Sequence, residues 1–272
     1  MPIIAWPTNA DWDKGYILSR LKSVKRVVTV SLEHYATFRY STLGGKLKVI
    51  NLMVPACSTT DQQDLGVSST QGKQLVPEIQ KRLPTVGFMG ALTKHKGIFE
   101  YINIAKALID SGITCRFAVF GSSNLYDAGR DHDIISPDIL KLVRDYNLES
   151  CIDFYAVLGK KINSLAGCDI AISNPTGVEE FCLSAVEFNQ AGVPVLCPPV
   201  KGYKTSMQLG NTAFGCTTLD EYVASARRVF SLSRTERILL RENCILNSMR
   251  FDPAAIVKQW DLVLSAVVES ND

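Results

Sequence analysis

Two glutamates with seven residues between them, Glu179 and Glu187, frame the part of this 272-residue sequence best equipped for chemistry. They lie within the stretch from Ser173 to Leu196. It reads as a strand end, a turn marked by Pro175 and Gly177, a helix from Cys182 to Ala191, and a short apolar strand, Val193-Pro194-Val195-Leu196. Leu183, Val186, Phe188 and Ala191 are the expected inner face of that helix, and Gly192 is its expected stop. A loop that opens a helix leaves backbone N–H groups and the positive end of the helix dipole unused, which suits a phosphate. A carboxylate above such a site could accept hydrogen bonds from sugar hydroxyls, and one further along the helix from a ribose.

A second stretch, Gly90-Ala91-Leu92-Thr93-Lys94-His95-Lys96-Gly97, also follows a strand and opens a helix. Gly90 would let a phosphate approach the backbone, and Lys96 supplies a point charge. It is not a Walker loop, because G-K-[ST] is absent. Taken singly, Lys96 reads as a solvated loop lysine and each glutamate as a surface charge. For either glutamate alone that is the favoured reading, whereas Gly97 beside Lys96 favours the phosphate. Asp131-His132-Asp133 has the form of a metal-binding D-x-D, but no apolar strand precedes it and it reads as a solvated turn. Gly121-Ser122-Ser123 lacks the G-x-G-x-x-G needed for a dinucleotide. The three histidines are scattered, without zinc spacing.

The elements around these loops alternate strand and helix from Pro84 onward, the sign of a parallel sheet wrapped by helices. Strands are expected over 85–89, 116–120, 151–155, 169–173 and 212–216. Helices are expected over 98–112, 137–146, 219–230, 234–249 and 253–268. Ahead of them, 27–31 and 47–51 read as buried strands, 2–6 as the middle of a strand, and 57–82 as a polar linker or variable loop. Residues 14–26 form a basic amphipathic helix that could meet a lipid head group but reads first as a solvated face. A hydrophobic fraction of 46%, a charged fraction of 21% and a net charge of +2 are those of an ordinary globular protein and give no footing for nucleic acid. Eight widely spaced cysteines, with no C-x-x-C and no signal peptide, predict a cytoplasmic, reducing location.

In sum these residues resemble retaining GT-B glycosyltransferases, the glycosyl transferases group 1 family, whose signature reads E-G-F-G-L-x-x-x-E-A-x-A-x-G-x-P-V. Here the frame stands as Glu179-Glu180-Phe181-Cys182-Leu183, then Glu187, Ala191, Gly192, Pro194 and Val195, with Glu180 and Cys182 replacing both motif glycines. Lys96-Gly97 matches the end of the family's G-R-L-x-x-x-K-G, while Ala91 stands where its arginine belongs. Cys168-Asp169 through Pro175 resembles A-D-x-x-x-x-P-S, with Asp169 more suited to bracing the strand than to reacting. Phe154-Tyr155-Ala156-Val157-Leu158 resembles the family's turn beside the nucleotide base.

The resemblance implies an α/β fold: a Rossmann-like parallel sheet with helices on both faces over 84–250, preceded by a remnant of an acceptor domain (1–55) and a linker (56–83). A C-terminal helix in 251–272 would pack back toward the N-terminal segment. It implies hexosyl transfer from a nucleotide-sugar, with retention and without a metal ion, in glycan or polysaccharide biosynthesis. Glu179 and Lys96 would be catalytic. Gly90, Lys96, Val157, Phe181, Cys182, Leu183, Ser184 and Glu187 would bind the donor. The nucleotide-sugar is a substrate, so no cofactor is implied. The acceptor, a glycan, lipid or small molecule, is left open, and so is a partner chain supplying the acceptor domain. A non-catalytic donor-binding subunit and, more weakly, a sugar-nucleotide epimerase are the alternatives.

Overall fold

The computed structural model describes residues 4–5, 26–29, 47–54, 82–123, 135–155, 165–176, 179, 181–199 and 202–269. Strands β1 (Ile4–Ala5), β2 (Arg26–Thr29) and β3 (Leu47–Val49) form a small parallel sheet in that order. The main sheet is built from β4 (Thr85–Met89), β5 (Arg116–Phe120), β6 (Ile152–Tyr155), β7 (Ile170–Ile172), β8 (Val195–Cys197) and β9 (Ala213–Gly215). All its pairings are parallel, in the order β6-β5-β4-β7-β8-β9. The described helices are α1 (Ile98–Asp110), α2 (Pro137–Asp145), α3 (Leu183–Gln190), α4 (Gly202–Ser206), α5 (Leu219–Phe230), α6 (Arg234–Met249) and α7 (Pro253–Glu269). The α/β sheet with helices on both faces is thus as the sequence predicts.

Alternation along the strands sorts bulk to one face. Val86, Phe88, Phe117, Val119, Ile170 and Ile172 pack with Ile98, Tyr101, Ile102 and Leu108 of α1 and with α2 and α5. The opposite face carries smaller residues, Ala118 and Ala171, under Ala185, Val186 and Phe188 of α3. Gly87 belongs to this face: a Cβ there would stand 2.8 Å from both the Phe188 ring and the Cys168 sulfur. Small residues in three adjacent strands therefore let α3 lie close on the sheet, which fixes where its N-terminus can point.

Helix α3 departs from expectation on two counts. Leu183, expected on the inner face, is exposed, because at about 3.6 residues per turn it falls on the side of Glu187, away from the arc of Ala185, Val186, Phe188 and Asn189 that is buried. Asn189 is fully buried in its place. Its amide donates to the Val193 and Thr212 carbonyls (3.0 and 3.3 Å), and its oxygen accepts from Asn247 of α6 at 2.9 Å. Asn247 also donates to the Ser206 carbonyl at 2.9 Å and accepts from Arg250 at 2.8 Å. The chain then crosses at Phe251, whose carbonyl takes the Val54 N–H at 3.1 Å. Beyond it, Ile256 and Val263 of α7 pack on Val28 of β2 and on Ile50, the residue after β3. Helix α4 was not expected: it spans five residues and has too little periodicity to register. The basic helix expected over 14–26 and the polar stretch 57–82 fall, for the first almost wholly and for the second apart from Arg82, outside the described residues.

The Asn189–Asn247 pair locks α3 to α6. Asn247→Ala would leave the Asn189 oxygen and the Ser206 carbonyl buried without donors, so a loss of about 2–3 kcal/mol in unfolding free energy is expected by urea denaturation.

Candidate functional site

The sheet order reverses direction between β4 and β7: the chain leaves β4 towards β5 and β6, then returns to add β7, β8 and β9 on the other side. In such sheets the loops at the carboxyl ends of the two central strands diverge and leave a crevice. Here those loops are 90–97, after β4, and the segment from Ser173 to Cys182, after β7.

They are joined at their tips. Thr176 donates its N–H to the His95 carbonyl (3.2 Å) and its hydroxyl to the Lys94 carbonyl (3.0 Å). Gly97, in the left-handed region at φ 84°, caps α1 and lies against the Asn174 carbonyl, which a Cβ would meet at 2.0 Å. At the base of the first loop, Gly90 (φ 153°) donates its N–H to the Phe120 carbonyl, and its own oxygen would stand 1.9 Å from a Cβ at Gly121. Gly97 and Gly121 are thus required by close backbone approach.

The result of this stitching is an ion pair. Lys96 Nζ lies 3.0 Å from Glu179 Oε2, although 83 positions separate them in the chain, and the lysine is 37% and the glutamate 17% exposed. The Glu179 carbonyl accepts the Gly202 N–H at 3.0 Å, so α4 holds the backbone of the glutamate from behind. Glu187 lies one turn beyond Leu183 on the same side of α3 and is half-buried.

Between the two glutamates, Phe181 is buried edge-on against Phe251, with ring centroids 5.0 Å apart. Cys182 is the N-cap residue of α3 at φ −85°, a conformation open to any L-residue, so the loss of the motif glycine costs no backbone strain here. Its side chain turns into the protein, 4% exposed, and its sulfur lies 3.3 Å from both Ser173 Oγ and Ser184 Oγ. Ser173 Oγ is in turn 2.7 Å from Tyr203 Oη of α4. Burial, and after it the Glu179 charge, pushes the Cys182 thiol above its usual range, so it stays protonated at neutral pH. The sulfur also faces the Ala185 amide in the first turn of α3, beside Leu183 and Ser184. Sequence reasoning missed Ser173 and Tyr203, for which no local signal exists.

Other expected residues have structural positions. Asp169 accepts the Thr85 N–H at 2.7 Å and both Arg82 nitrogens at 2.9 and 3.1 Å, which braces the start of β4. Ala91 is 1% exposed in the first loop, while Lys94 and His95, the neighbours that could replace the family's arginine, are exposed beside it. Val157, Glu180 and Asp131-His132-Asp133 lie outside the described residues, among which no cluster of three metal-ligating side chains occurs.

The contact at Gly97 can be separated from the strain of its conformation. Gly112 has a similar φ of 80° with open space where a Cβ would stand. Gly112→Ala is expected to cost about 1 kcal/mol and Gly97→Ala at least about twice that, read from urea unfolding, since only the second must part the two loops.

Comparison with known proteins agrees with this geometry. A search of curated proteins by sequence finds no match. Among solved structures, the glycosyltransferase from Rickettsia africae ESF-5 superposes with a TM-score of 0.76 at 15% identity, over 97% of this chain and 70% of that one. Staphylococcus aureus TarM, in complex with fondaparinux, alpha-GlcNAc-glycerol and UDP, gives 0.73 at 13% identity, over 96% of this chain and 50% of its own. Anabaena HepE in complex with UDP-glucose gives 0.68 at 18%, over 97% and 72%. These likenesses are of fold. In sequence, residues 73–248, well over half the chain, match the family of glycosyl transferases group 1. The match spans both stitched loops and every described residue of the crevice from Gly90 to Tyr203. The chain belongs to the glycosyl transferases group 1 family.

Proposed function

We propose that this chain binds a nucleoside-diphosphate sugar in the crevice between the loops after β4 and β7 and transfers its hexose, with retention, in glycan or polysaccharide synthesis. The observation that carries the reading is the Lys96–Glu179 pair at the mouth of α3. A diphosphate placed there meets a cation, Lys96, and the N–H groups of Cys182, Leu183 and Ser184 at a helix N-terminus. Glu179 would accept hydrogen bonds from hydroxyls of the donor sugar, and Glu187 from the ribose. When the bond from the sugar to the diphosphate breaks, its electrons pass to the departing diphosphate. Lys96 and the α3 amides then gain strength as the charge develops, which is the form of binding that accelerates a reaction. Gly90 would admit the diphosphate to the backbone, Phe181 would fix the loop against Phe251, and Val157 would lie near the base.

The fold relatives support a uridine donor: HepE is in complex with UDP-glucose and the pneumococcal GtfA with UDP and GlcNAc. GtfA is also found in a GtfA/B complex, which keeps open a partner chain that completes the acceptor side. Buried Ala91 favours the second reading, a donor-binding subunit without turnover of its own, because the loop lacks the family's second cation.

Calorimetric titration with UDP-, GDP- and ADP-sugars tests the donor site. One donor should bind, and Glu187→Ala should weaken it by roughly tenfold, as loss of a charge-assisted hydrogen bond implies. Binding of none of the three would remove the donor-site reading, and binding without product in a transfer assay would favour the non-catalytic subunit.

The ion pair yields a sharper test. Glu179→Gln frees Lys96 from its competitor, so free UDP should bind more tightly, by a factor of about 3–10, while the rate of sugar transfer falls. Weaker binding of free UDP would show that Glu179 does not oppose the diphosphate for the lysine.

A further inference from the structure

Behind the mouth of α3, four hydroxyl and thiol groups form a chain that the donor site itself does not explain: Tyr203 Oη, Ser173 Oγ, Cys182 Sγ and Ser184 Oγ, spaced 2.7, 3.3 and 3.3 Å. Each group carries one proton, so the chain has two possible polarities. If protons point inward from Ser184, Ser173 donates to the Tyr203 phenol, and the phenol's own proton finds no oxygen acceptor among the described residues. The neighbouring Cys182 sulfur is within its reach, but it is a weak acceptor whose two lone pairs would already take the Ser184 hydroxyl and the Ala185 amide. Tyr203 is 1% exposed, so that proton would be held away from water, which is costly. If protons point outward, the phenol donates to Ser173, Ser173 to the Cys182 sulfur, and the thiol to Ser184. Every donor inside the chain is then satisfied, and the Ser184 proton is the one left to be offered to the crevice.

We propose that Tyr203, acting through Ser173 and Cys182, is a positioning residue that turns the Ser184 hydroxyl outward as a hydrogen-bond donor to the donor diphosphate. This rests on the proposed donor site. The chain of groups also explains what a cysteine can do at the motif's second glycine position, since a glycine there could pass no proton between Ser173 and Ser184. The thiol can do so only while protonated, which its burial ensures. Helix α4, whose Gly202 also holds the Glu179 carbonyl, would then set both polar walls of the crevice from behind.

The test is a double-mutant cycle read by calorimetry with UDP, or with GDP or ADP if either binds more tightly. Ser184→Ala should weaken binding by roughly tenfold and Tyr203→Phe by about 3–5-fold. In the Ser184→Ala background, Tyr203→Phe should change nothing further. Cys182→Ala, which breaks the chain at its middle, should copy Tyr203→Phe, and Cys182→Ser, which keeps a proton to pass on, should restore binding. A Tyr203→Phe effect of equal size in both backgrounds would mean a merely structural role and overturn the proposal, as would no effect in either. If the unaltered protein binds none of the three nucleotides, the donor-site reading falls and the proposal with it. Binding by the unaltered protein with a flat cycle sinks the proposal alone. A Tyr203→Phe protein that does not fold leaves the two Cys182 variants to decide on the same criteria.

Discussion

The crevice depends on how closely two backbone segments can approach, and Gly97 against the Asn174 carbonyl is where the two loops come tightest. With no side chain at 97, the loop after β4 can lie under the loop after β7, and Thr176 then bonds to the Lys94 and His95 carbonyls. The polar features of the site follow from that. Lys96 is carried on the lower loop and Glu179 on the upper, and the two side chains meet because the loops do. The constraint is steric before it is electrostatic: an ion pair this exposed contributes little to stability, so the backbone contact sets the geometry and the charges occupy it.

A second constraint works from below. The faces of the sheet are unequal, bulky toward α1 and small toward α3, and Gly87, Ala118 and Ala171 let Phe188 seat α3 deeply. The buried Asn189–Asn247 pair then fixes the rotation of α3, since an amide with one set of partners tolerates less slippage than an apolar contact of the same size. The N-terminus of α3 is therefore aimed by interactions near its C-terminal end. The Phe181–Phe251 contact adds a third point, tying the motif loop to the crossover between α6 and α7.

Much of this is legible in the sequence, and the limits have physical reasons. The short apolar runs of Thr85–Met89 and Arg116–Phe120 announce the strands, and the periodicity of Ile98, Tyr101, Ile102, Ala105 and Leu108 announces α1, because both are local patterns. Leu183 is misplaced because its apolar type suggests the core, although at about 3.6 residues per turn it shares the outer side of α3 with Glu187. Asn189 and Tyr203 are invisible for another reason. Their partners, Asn247 and Ser173, lie 58 and 30 positions away, and a buried polar residue has no signature of its own until its partner is known. The Lys96–Glu179 pairing is within reach only through the resemblance, which assigns both residues to one site without showing that they touch.

The departures from that frame weigh differently once the structure is in view. Cys182 occupies a conformation that does not require glycine, and its side chain fills space behind the crevice rather than within it. Ala91 is the graver change. Without a cation at that position, the charges of Lys96 and Glu179 cancel, so a diphosphate would be held by one lysine and by the dipole and amides of α3. On the proposed reading this favours the sugar-bearing donor over the bare diphosphate. The donor's hydroxyls satisfy Glu179 while its phosphates take Lys96, so both partners of the ion pair exchange one contact for another. After transfer the sugar is gone, Glu179 faces the diphosphate without hydroxyls to bind, and the ion pair competes for the lysine again. On that reading, the charge balance that weakens the empty site for nucleotides would also help it to release one.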